Sequence, residues 1–449
     1  MRPRIAALPS LLLCAFLPAC DAAKELVLPP RPESPREQYR EALRSAGLDR
    51  TALGLDWVRA GDLALRTPVP IDLPHRETAY FPADSALALG YRLRGLRGRR
   101  ITVGLTVSGI ARTRVFADLY RASPDTADAP RLVATLDSVA TTFSWEPRRD
   151  TDFIVRVQPE LLRSGSVTVD VRSEPALAFP VEGRSWGAVQ SVFGDPRDAG
   201  ARAHHGVDIF APRGTPTVAA ATGRVTRVRD TLRGGKVVWL RDEARAMSLY
   251  YAHLDSQTVS SGDWVQPGDT VGFVGNTGNA RTTQPHLHFG IYRRGEGPSD
   301  PDPWLRVWEP AVAEVAADTS ALGALMRVAP SSARLTALGG SEAAEAPPID
   351  IPARTVLRVL AASGDSYRVT LPDGGTGYVR ARDLESTREP VDRADLTGVA
   401  LRAGPGPDAP VIATPAAASL GDVLGVFGDH AFVRAQGGVE GWSSLSALD

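Results

Sequence analysis

Cysteine is nearly absent from this chain of 449 residues, which has only Cys14 and Cys20. From residue 21 onward there is no thiol, so that part of the chain has no internal disulfide and no cysteine-based zinc site. Any metal ion there must be held by histidine and carboxylate. An excess of one charge is also lacking, because 51 Lys and Arg and 52 Asp and Glu leave a net charge of −1. This balance gives no electrostatic case for nucleic acid as a partner.

The first 20 residues have the layout of an export signal. A basic start, Met1-Arg2-Pro3-Arg4, precedes a mostly apolar run over residues 5–17, which is too short to span a membrane comfortably. Leu17-Pro18-Ala19-Cys20 then resembles a bacterial lipobox, which implies a lipoprotein signal peptide over residues 1–19 and a lipid on Cys20. The expected location is the cell envelope, membrane-anchored and facing the periplasm or exterior. Ordinary signal cleavage nearby, with Cys20 free or lost, is the alternative.

Glycine (42) and proline (36) are plentiful, which favours many strands and turns over long helices. Residues 20–84 are assigned to a linker and a short helical segment, in which Ser34-Pro35-Arg36-Glu37 is a capping box and Gly47 ends the helix. His75 is isolated and is predicted to lie at the surface. Alternating runs between 85 and 175, such as Ile101-Thr102-Val103-Gly104-Leu105, predict a β-sandwich domain.

Strand-like runs with turn signals continue over residues 180–308 and predict a compact antiparallel β domain. A short helix or linker is expected over 309–324. Two similar units follow, 326–386 and 394–449. Each has a glycine–aromatic pair, Gly377-Tyr378 or Gly441-Trp442, with a leucine seven positions after the glycine. They resemble bacterial SH3-like domains, small barrels that this resemblance links to cell-wall binding; two generic small β domains are the alternative. The predicted fold class is therefore mainly β and multi-domain.

Histidine is scarce as well, yet five of the seven histidines lie between residues 204 and 288. The alternation in His286-Leu287-His288-Phe289 predicts a strand on which both imidazoles share one face. Alone, this strand fits a metal site and a plain polar surface about equally. Upstream, His204 and Asp208 add an imidazole and a carboxylate in a turn that leads into a strand, and both groups suit Zn²⁺. With His288 they make three ligands and leave a position for water, as in catalytic zinc sites.

These motifs, in this order, resemble those of the LytM/lysostaphin-type zinc metallopeptidases. The resemblance rests on His-x-x-x-Asp at 204–208, on Tyr251-Ala252-His253-Leu254 and on His-Leu-His at 286–288, and it covers about residues 184–306. It implies one zinc ion with the ligands His204, Asp208 and His288. It also implies that His253 and His286 act on the water and the substrate.

The remaining histidines have simpler interpretations. Taken alone, His253 also fits a core histidine. His205 is adjacent to the ligand His204, so its side chain is expected to point away from the metal and is treated as non-catalytic. His430 is predicted to be a surface residue. Residues 241–246 are charged where the family usually has a short glycine turn, which leaves substrate selectivity open.

The resemblance implies an exported, membrane-anchored zinc endopeptidase that hydrolyses peptide cross-links of bacterial peptidoglycan. Its expected partners are peptidoglycan, on which the SH3-like units would hold it, and a membrane, through the lipid on Cys20. A non-enzymatic activator of other cell-wall hydrolases and an exported protease acting on glycine-rich proteins are the alternatives. Self-inhibition by the preceding β-sandwich is a further hypothesis, for which the sequence identifies no blocking residue.

Overall fold

The computed structural model describes residues 34–449 apart from 110–112, 124, 126–127, 137–140, 198–199, 309–310, 332, 337–347, 417–418 and 449. The predicted signal peptide, Cys20 and most of the predicted linker lie outside the described residues. The chain is mainly β, with several antiparallel sheets, as the sequence predicts. Among the described helices, none is both long enough and apolar enough to cross a membrane.

Two helices precede the first sheet. The capping box is confirmed, because α1 (Pro35–Ser45) begins after Ser34, whose Oγ accepts a hydrogen bond from the Glu37 amide. A second helix, α2 (Ala52–Arg66), was not predicted. It buries Trp57, whose indole N–H donates to a backbone carbonyl of the following sandwich, so the helix is part of that domain.

The β-sandwich has two sheets that enclose one apolar core. Its strands are β1 (Val69–Pro70), β2 (His75–Phe81), β3 (Leu89–Gly95), β4 (Arg99–Gly109), β5 (Val115–Arg121), β6 (Arg131–Thr135), β7 (Thr142–Trp145), β8 (Thr151–Pro159) and β9 (Gly165–Pro175). One sheet has the order β1-β3-β8-β5-β6, and the other contains β2-β9-β4-β7. The sandwich therefore begins before residue 85. His75 is only 6% exposed, so its predicted surface position is wrong, because alternation along β2 turns it inward with Glu77 and Ala79.

The next domain is built on a seven-strand path in the order β10-β13-β21-β17-β16-β15-β19. The strands of this region are β10 (Val189–Ser191), β11 (Pro196–Arg197), β12 (Arg202–Ala203), β13 (Val207–Phe210), β14 (Pro216–Val218), β15 (Gly223–Thr231), β16 (Gly235–Asp242), β17 (Met247–Leu254), β18 (Ser256–Gln257), β19 (Trp264–Val265), β20 (Thr270–Phe273), β21 (His286–Arg293) and β22 (Gly297–Ser299), with a short helix α3 (Asp302–Leu305) after them. One face of the main sheet fills a core with residues such as Ile209, Leu249 and Leu287. The opposite face is left for the polar and aromatic side chains described below.

The charged hairpin between β16 and β17 contacts the β-sandwich. Arg245 donates to Asp242 in its own hairpin at 2.7 Å and to Glu146 of the sandwich at 2.7 Å. Glu146 also accepts from Arg100 at 2.9 Å. The charges that depart from the family pattern over residues 241–246 therefore include an interdomain ion-pair network.

Two small antiparallel β units complete the chain. Their strands are β23 (Leu325–Val328), β24 (Ala333–Leu335), β25 (Ile349–Ile351), β26 (Val356–Ser363), β27 (Ser366–Thr370), β28 (Thr376–Arg380), β29 (Leu384–Ser386), β30 (Asp392–Asp395), β31 (Leu401–Arg402), β32 (Val411–Ala413), β33 (Leu420–Phe427), β34 (His430–Arg434) and β35 (Glu440–Ser444). In the first unit β26 pairs with β2, so its sheet continues that of the sandwich. Within the described part of 309–324 there is one 3₁₀ turn, Thr319–Ala321, and no α-helix. The likeness to SH3-like domains stays a prediction.

Candidate metal centre

Two neighbouring strands align the predicted ligands. Asp208 on β13 is the direct cross-strand partner of His288 on β21, and His204 lies in the turn before β13. Leu287 and Phe289, on the opposite face of β21, have no exposed surface and belong to the core. Alternation along β21 therefore separates an apolar underside from an upper face that carries the histidines.

Gly206 allows the two strands to approach each other at this point. A Cβ at this position would lie 2.4 Å from the carbonyl oxygen of Phe289 and 2.9 Å from Cε1 of His288. Both distances are shorter than van der Waals contact, so any side chain here would displace β21 or the His288 ring. Close packing therefore requires glycine at position 206, between His204 and Asp208 in the chain.

Three donor atoms converge in a small triangle. His204 Nε2 lies 3.0 Å from Asp208 Oδ1 and 2.9 Å from His288 Nδ1. The third side, from His288 Nδ1 to Asp208 Oδ1, is 2.9 Å. The side chains of these residues are largely buried. Within the described part of the chain, this is the one group of three or more His, Cys, Asp or Glu side chains whose ligand atoms lie close enough together to hold a metal ion.

The hydrogen bonds around the triangle indicate that it fits a cation. His204 donates from Nδ1 to the carbonyl oxygen of Val192 at 2.8 Å, so Nε2 of the neutral ring carries a lone pair. This lone pair faces an oxygen of the Asp208 carboxylate, and neither atom brings a proton to the contact. A metal ion relieves the repulsion between two such acceptors. Two imidazole nitrogens and one carboxylate oxygen are also a common zinc ligand set, so the residues present fit Zn²⁺.

Asp208 is held as a carboxylate by its neighbours. Burial opposes its ionisation, but the interactions of the carboxylate with His204 and His288 lower its pKa well below the ordinary value. Its second oxygen, Oδ2, accepts from the Arg197 guanidinium at 2.5 Å, and Arg197 also donates to Ser191 Oγ at 2.7 Å. Arg197 therefore orients the carboxylate so that Oδ1 points into the triangle.

His253 and His286 lie beside the triangle. Their ring centroids are 5.1 Å apart, and the His253 ring lies 6.0 Å from that of His288. His253 donates from Nδ1 to Thr277 O at 2.9 Å, and His286 donates from Nδ1 to a backbone carbonyl two residues before it at 2.8 Å. In the neutral form of either ring, Nε2 is then the nitrogen without a proton.

The environment of His253 keeps its ring neutral and strains its backbone. Burial disfavours the imidazolium and, with the charges of His286 and His288, lowers the pKa of His253 to about 4. Its φ of 63° is in the left-handed region, which a non-glycine residue rarely adopts. Strain of this kind persists where the surrounding structure fixes it, and it is common at functional sites.

The structure also locates His205, the histidine beside His204 that is predicted to be non-catalytic. His205 is exposed and stacks on Phe193, and it contributes no atom to the triangle. Arg197 was not identified from the sequence. It lies in a two-residue strand with no motif of its own, and only its distance to Asp208 reveals it.

Comparisons with known proteins match the region of the chain that carries this site. Residues 202–301 match the family model described as Peptidase family M23. An L-Ala–D-Glu endopeptidase of Bacillus subtilis (strain 168) is 36% identical over 143 residues, which are 29% of this chain and 44% of that protein. The peptidoglycan DD-endopeptidase ShyC of Vibrio cholerae is 39% identical over 94 residues, which are 21% of each protein. The uncharacterized lipoprotein YgeR of Escherichia coli (strain K12) is 29% identical over 224 residues, 46% of this chain and 86% of that protein.

The matched region coincides with the domain that carries the triangle. Over this region the chain is similar to peptidases of family M23. It spans less than half the length of the two endopeptidases it matches.

Proposed function

We propose that this protein is an exported, zinc-dependent endopeptidase that hydrolyses peptide bonds of bacterial peptidoglycan, with the cross-links as the expected target. The observation that carries the proposal is the triangle of His204, Asp208 and His288 beside two further histidines, inside a matched M23 domain. The names of two similar proteins, an L-Ala–D-Glu endopeptidase and a peptidoglycan DD-endopeptidase, support the reaction, and the second also names the substrate.

His204 Nε2, Asp208 Oδ1 and His288 Nδ1 would hold the zinc ion. When bound, the ion supplies Lewis-acid chemistry, polarising water and the substrate carbonyl. Gly206 and Arg197 keep the three ligand atoms in place, the first by allowing close strand approach and the second by fixing Asp208 Oδ2. Residues that orient metal ligands in this way do not touch the metal, but they strengthen its binding.

His253 and His286 would act on water and substrate from the side of the triangle. Each ring has its Nδ1 proton committed to a carbonyl oxygen, so Nε2 is the atom that can accept a proton or receive a hydrogen bond. The lowered pKa of His253 keeps its ring neutral at neutral pH, so Nε2 can accept a hydrogen bond from the water. Once protonated, either ring can donate a hydrogen bond to the carbonyl oxygen on which negative charge develops.

Attachment to the cell envelope is part of the proposal. Cys20 would carry the lipid anchor, in keeping with the lipobox-like Leu17-Pro18-Ala19-Cys20 and with the name of the lipoprotein YgeR. The two C-terminal β units would bind the wall polymer and raise the local concentration of substrate.

The test is digestion of purified peptidoglycan by the full chain, combined with measurement of bound zinc. The wild-type protein should bind one zinc ion and release peptide fragments, and Asp208→Ala should do neither. His205→Ala is the matched control, because His205 is an exposed histidine beside a ligand. Stimulation of a partner hydrolase without zinc binding or fragment release would instead support the non-enzymatic activator.

A further inference from the structure

Three aromatic side chains lie beside the metal centre on the same face of its sheet. Tyr250 on β17 pairs with Gly290 of β21 and with Trp239 of β16, and its ring centroid is 5.8 Å from that of His288. Trp239 lies 4.5 Å from Tyr250 and 5.1 Å from Tyr292. We call Trp239, Tyr250 and Tyr292 the aromatic platform.

The platform is not part of a hydrophobic core. The core of this domain lies on the opposite face of the sheet, and all three rings are partly exposed. Within the described residues, the two phenol hydroxyls and the Trp239 indole N–H make no hydrogen bond, although such groups usually find partners when they are covered. Burial raises the pKa of Tyr250 to about 12 and also raises that of Tyr292, so both hydroxyls remain donors at neutral pH. Apolar ring faces with free polar ends are therefore presented next to the triangle.

Gly290 makes room for this arrangement. A Cβ at Gly290 would lie 3.0 Å from the Tyr292 ring and 3.0 Å from the carbonyl oxygen of His205. Without that Cβ, the Tyr292 ring can lie over the strand and meet Tyr250, with 6.2 Å between centroids and an interplanar angle of 84°. Trp239 is tilted by 37° from Tyr250 and by 52° from Tyr292. The three ring planes are therefore tilted relative to one another and are not stacked in parallel.

The edge of the platform that lies away from the metal centre is positively charged. Arg227 on β15 is the cross-strand partner of Trp239, and Arg229 lies on the same face two residues further on. Both arginines are exposed, and neither makes an ion pair with another described residue. The strand that carries both arginines lies three strand spacings, about 15 Å, from β21, which carries His288. A carboxylate-bearing ligand that crosses the platform would meet them at that distance.

We propose that the aromatic platform binds a sugar ring of the glycan strand of peptidoglycan while the attached peptide lies at the metal centre. This rests on the proposed function for the identity of the substrate. A pyranose ring has an apolar face of C–H groups and a polar rim of hydroxyl and amide groups. The tilted ring faces and their free hydroxyl and N–H ends match that pattern, whereas an aliphatic side chain of a peptide would leave the polar ends unused. Arg227 and Arg229 match the carboxylates of the same polymer.

The kinetic test compares two substrates of the full zinc-loaded chain, a disaccharide-linked stem peptide and the same peptide without its sugars. Trp239→Ala should raise KM about tenfold for the sugar-linked substrate and leave KM for the free peptide unchanged. Tyr292→Phe, which removes only a hydroxyl, should have a smaller effect in the same direction. Trp264→Ala is the matched control, since Trp264 is 67% exposed on the same sheet face but two strands further from the metal centre.

A binding measurement decides the proposal separately from catalysis. Glycan strands freed of peptide by an amidase are titrated into the full chain and followed by calorimetry. Loss of one saturable site in Trp239→Ala, with every site retained in Trp264→Ala, supports the sugar site even if no peptide is hydrolysed. Glycan binding that Trp239→Ala leaves unchanged, or no binding at all, overturns it. Equal KM increases on both substrates also overturn it and would assign the platform to the peptide. If neither substrate is hydrolysed, the proposed function fails and the titration still tests the sugar site.

Discussion

Gly206→Ala tests whether close strand approach sets the spacing of the ligand triangle. The new Cβ would lie 2.4 Å from Phe289 O and 2.9 Å from His288 Cε1. Ordinary contacts of this kind begin at 3.4 Å, so β21 or the turn before β13 must move by roughly 1 Å. Overfilling of this kind costs about 1–3 kcal/mol of folding free energy. The shift also moves His288 Nδ1 relative to two atoms that now lie 2.9 Å from it.

We expect the variant to fold with reduced stability and to bind zinc about 10–100-fold more weakly, as when supporting contacts around a metal site are lost. Zinc affinity is measured by competition with a chromophoric chelator, and stability by urea unfolding of the metal-free chain. Gly187→Ala is the control, because a Cβ there would meet its nearest atom at 4.0 Å. Wild-type zinc affinity in a folded Gly206→Ala protein would refute the reasoning.

Three other predictions concern the metal centre and the ion pairs of Glu146. His288→Ala should lose zinc and activity together, whereas His286→Ala should lose activity and keep zinc, as metal analysis of the purified variants would show. Arg197→Met should weaken zinc binding about tenfold by freeing Asp208 Oδ2, which chelator competition measures; unchanged affinity would contradict an orienting role. Burial opposes ionisation of Glu146, but hydrogen bonds from Arg245 and Arg100 lower its pKa below the ordinary value. Its ion pairs therefore contribute to folding stability at pH values above the ordinary pKa of glutamate. This contribution is lost as the pH falls through the lowered pKa of the folded state. Glu146→Gln should therefore flatten the acid side of a plot of melting temperature against pH, and an unchanged slope would count against this assignment.

The sequence predicted the features that depend on local pattern. The Ser34 cap was read from four residues, and the shared face of His286 and His288 from strict alternation. The missed helix α2 contains Gly54 and Gly61, which weaken helix propensity. A Cβ at Gly61 would lie 2.1 Å from the Arg36 guanidinium, so tertiary packing determines that position.

Features that depend on distant partners could not be predicted. Strand β2 buries Glu77 in a segment that looks polar. Its carboxylate accepts hydrogen bonds from Tyr91 and from Tyr378, 301 residues further along the chain. Arg197 was missed because its role depends on a side-chain contact with Asp208. The aromatic platform was missed because it depends on the register of β16, β17 and β21.

The central claim is tested most directly by mass analysis of the fragments that the zinc-loaded chain releases from defined peptidoglycan, with His288→Ala and His205→Ala in parallel. The account predicts peptide fragments with a new amino terminus from the wild type and from His205→Ala, and none from His288→Ala. Equal release by His288→Ala, or no release by the wild type and His205→Ala while each binds zinc, would contradict it.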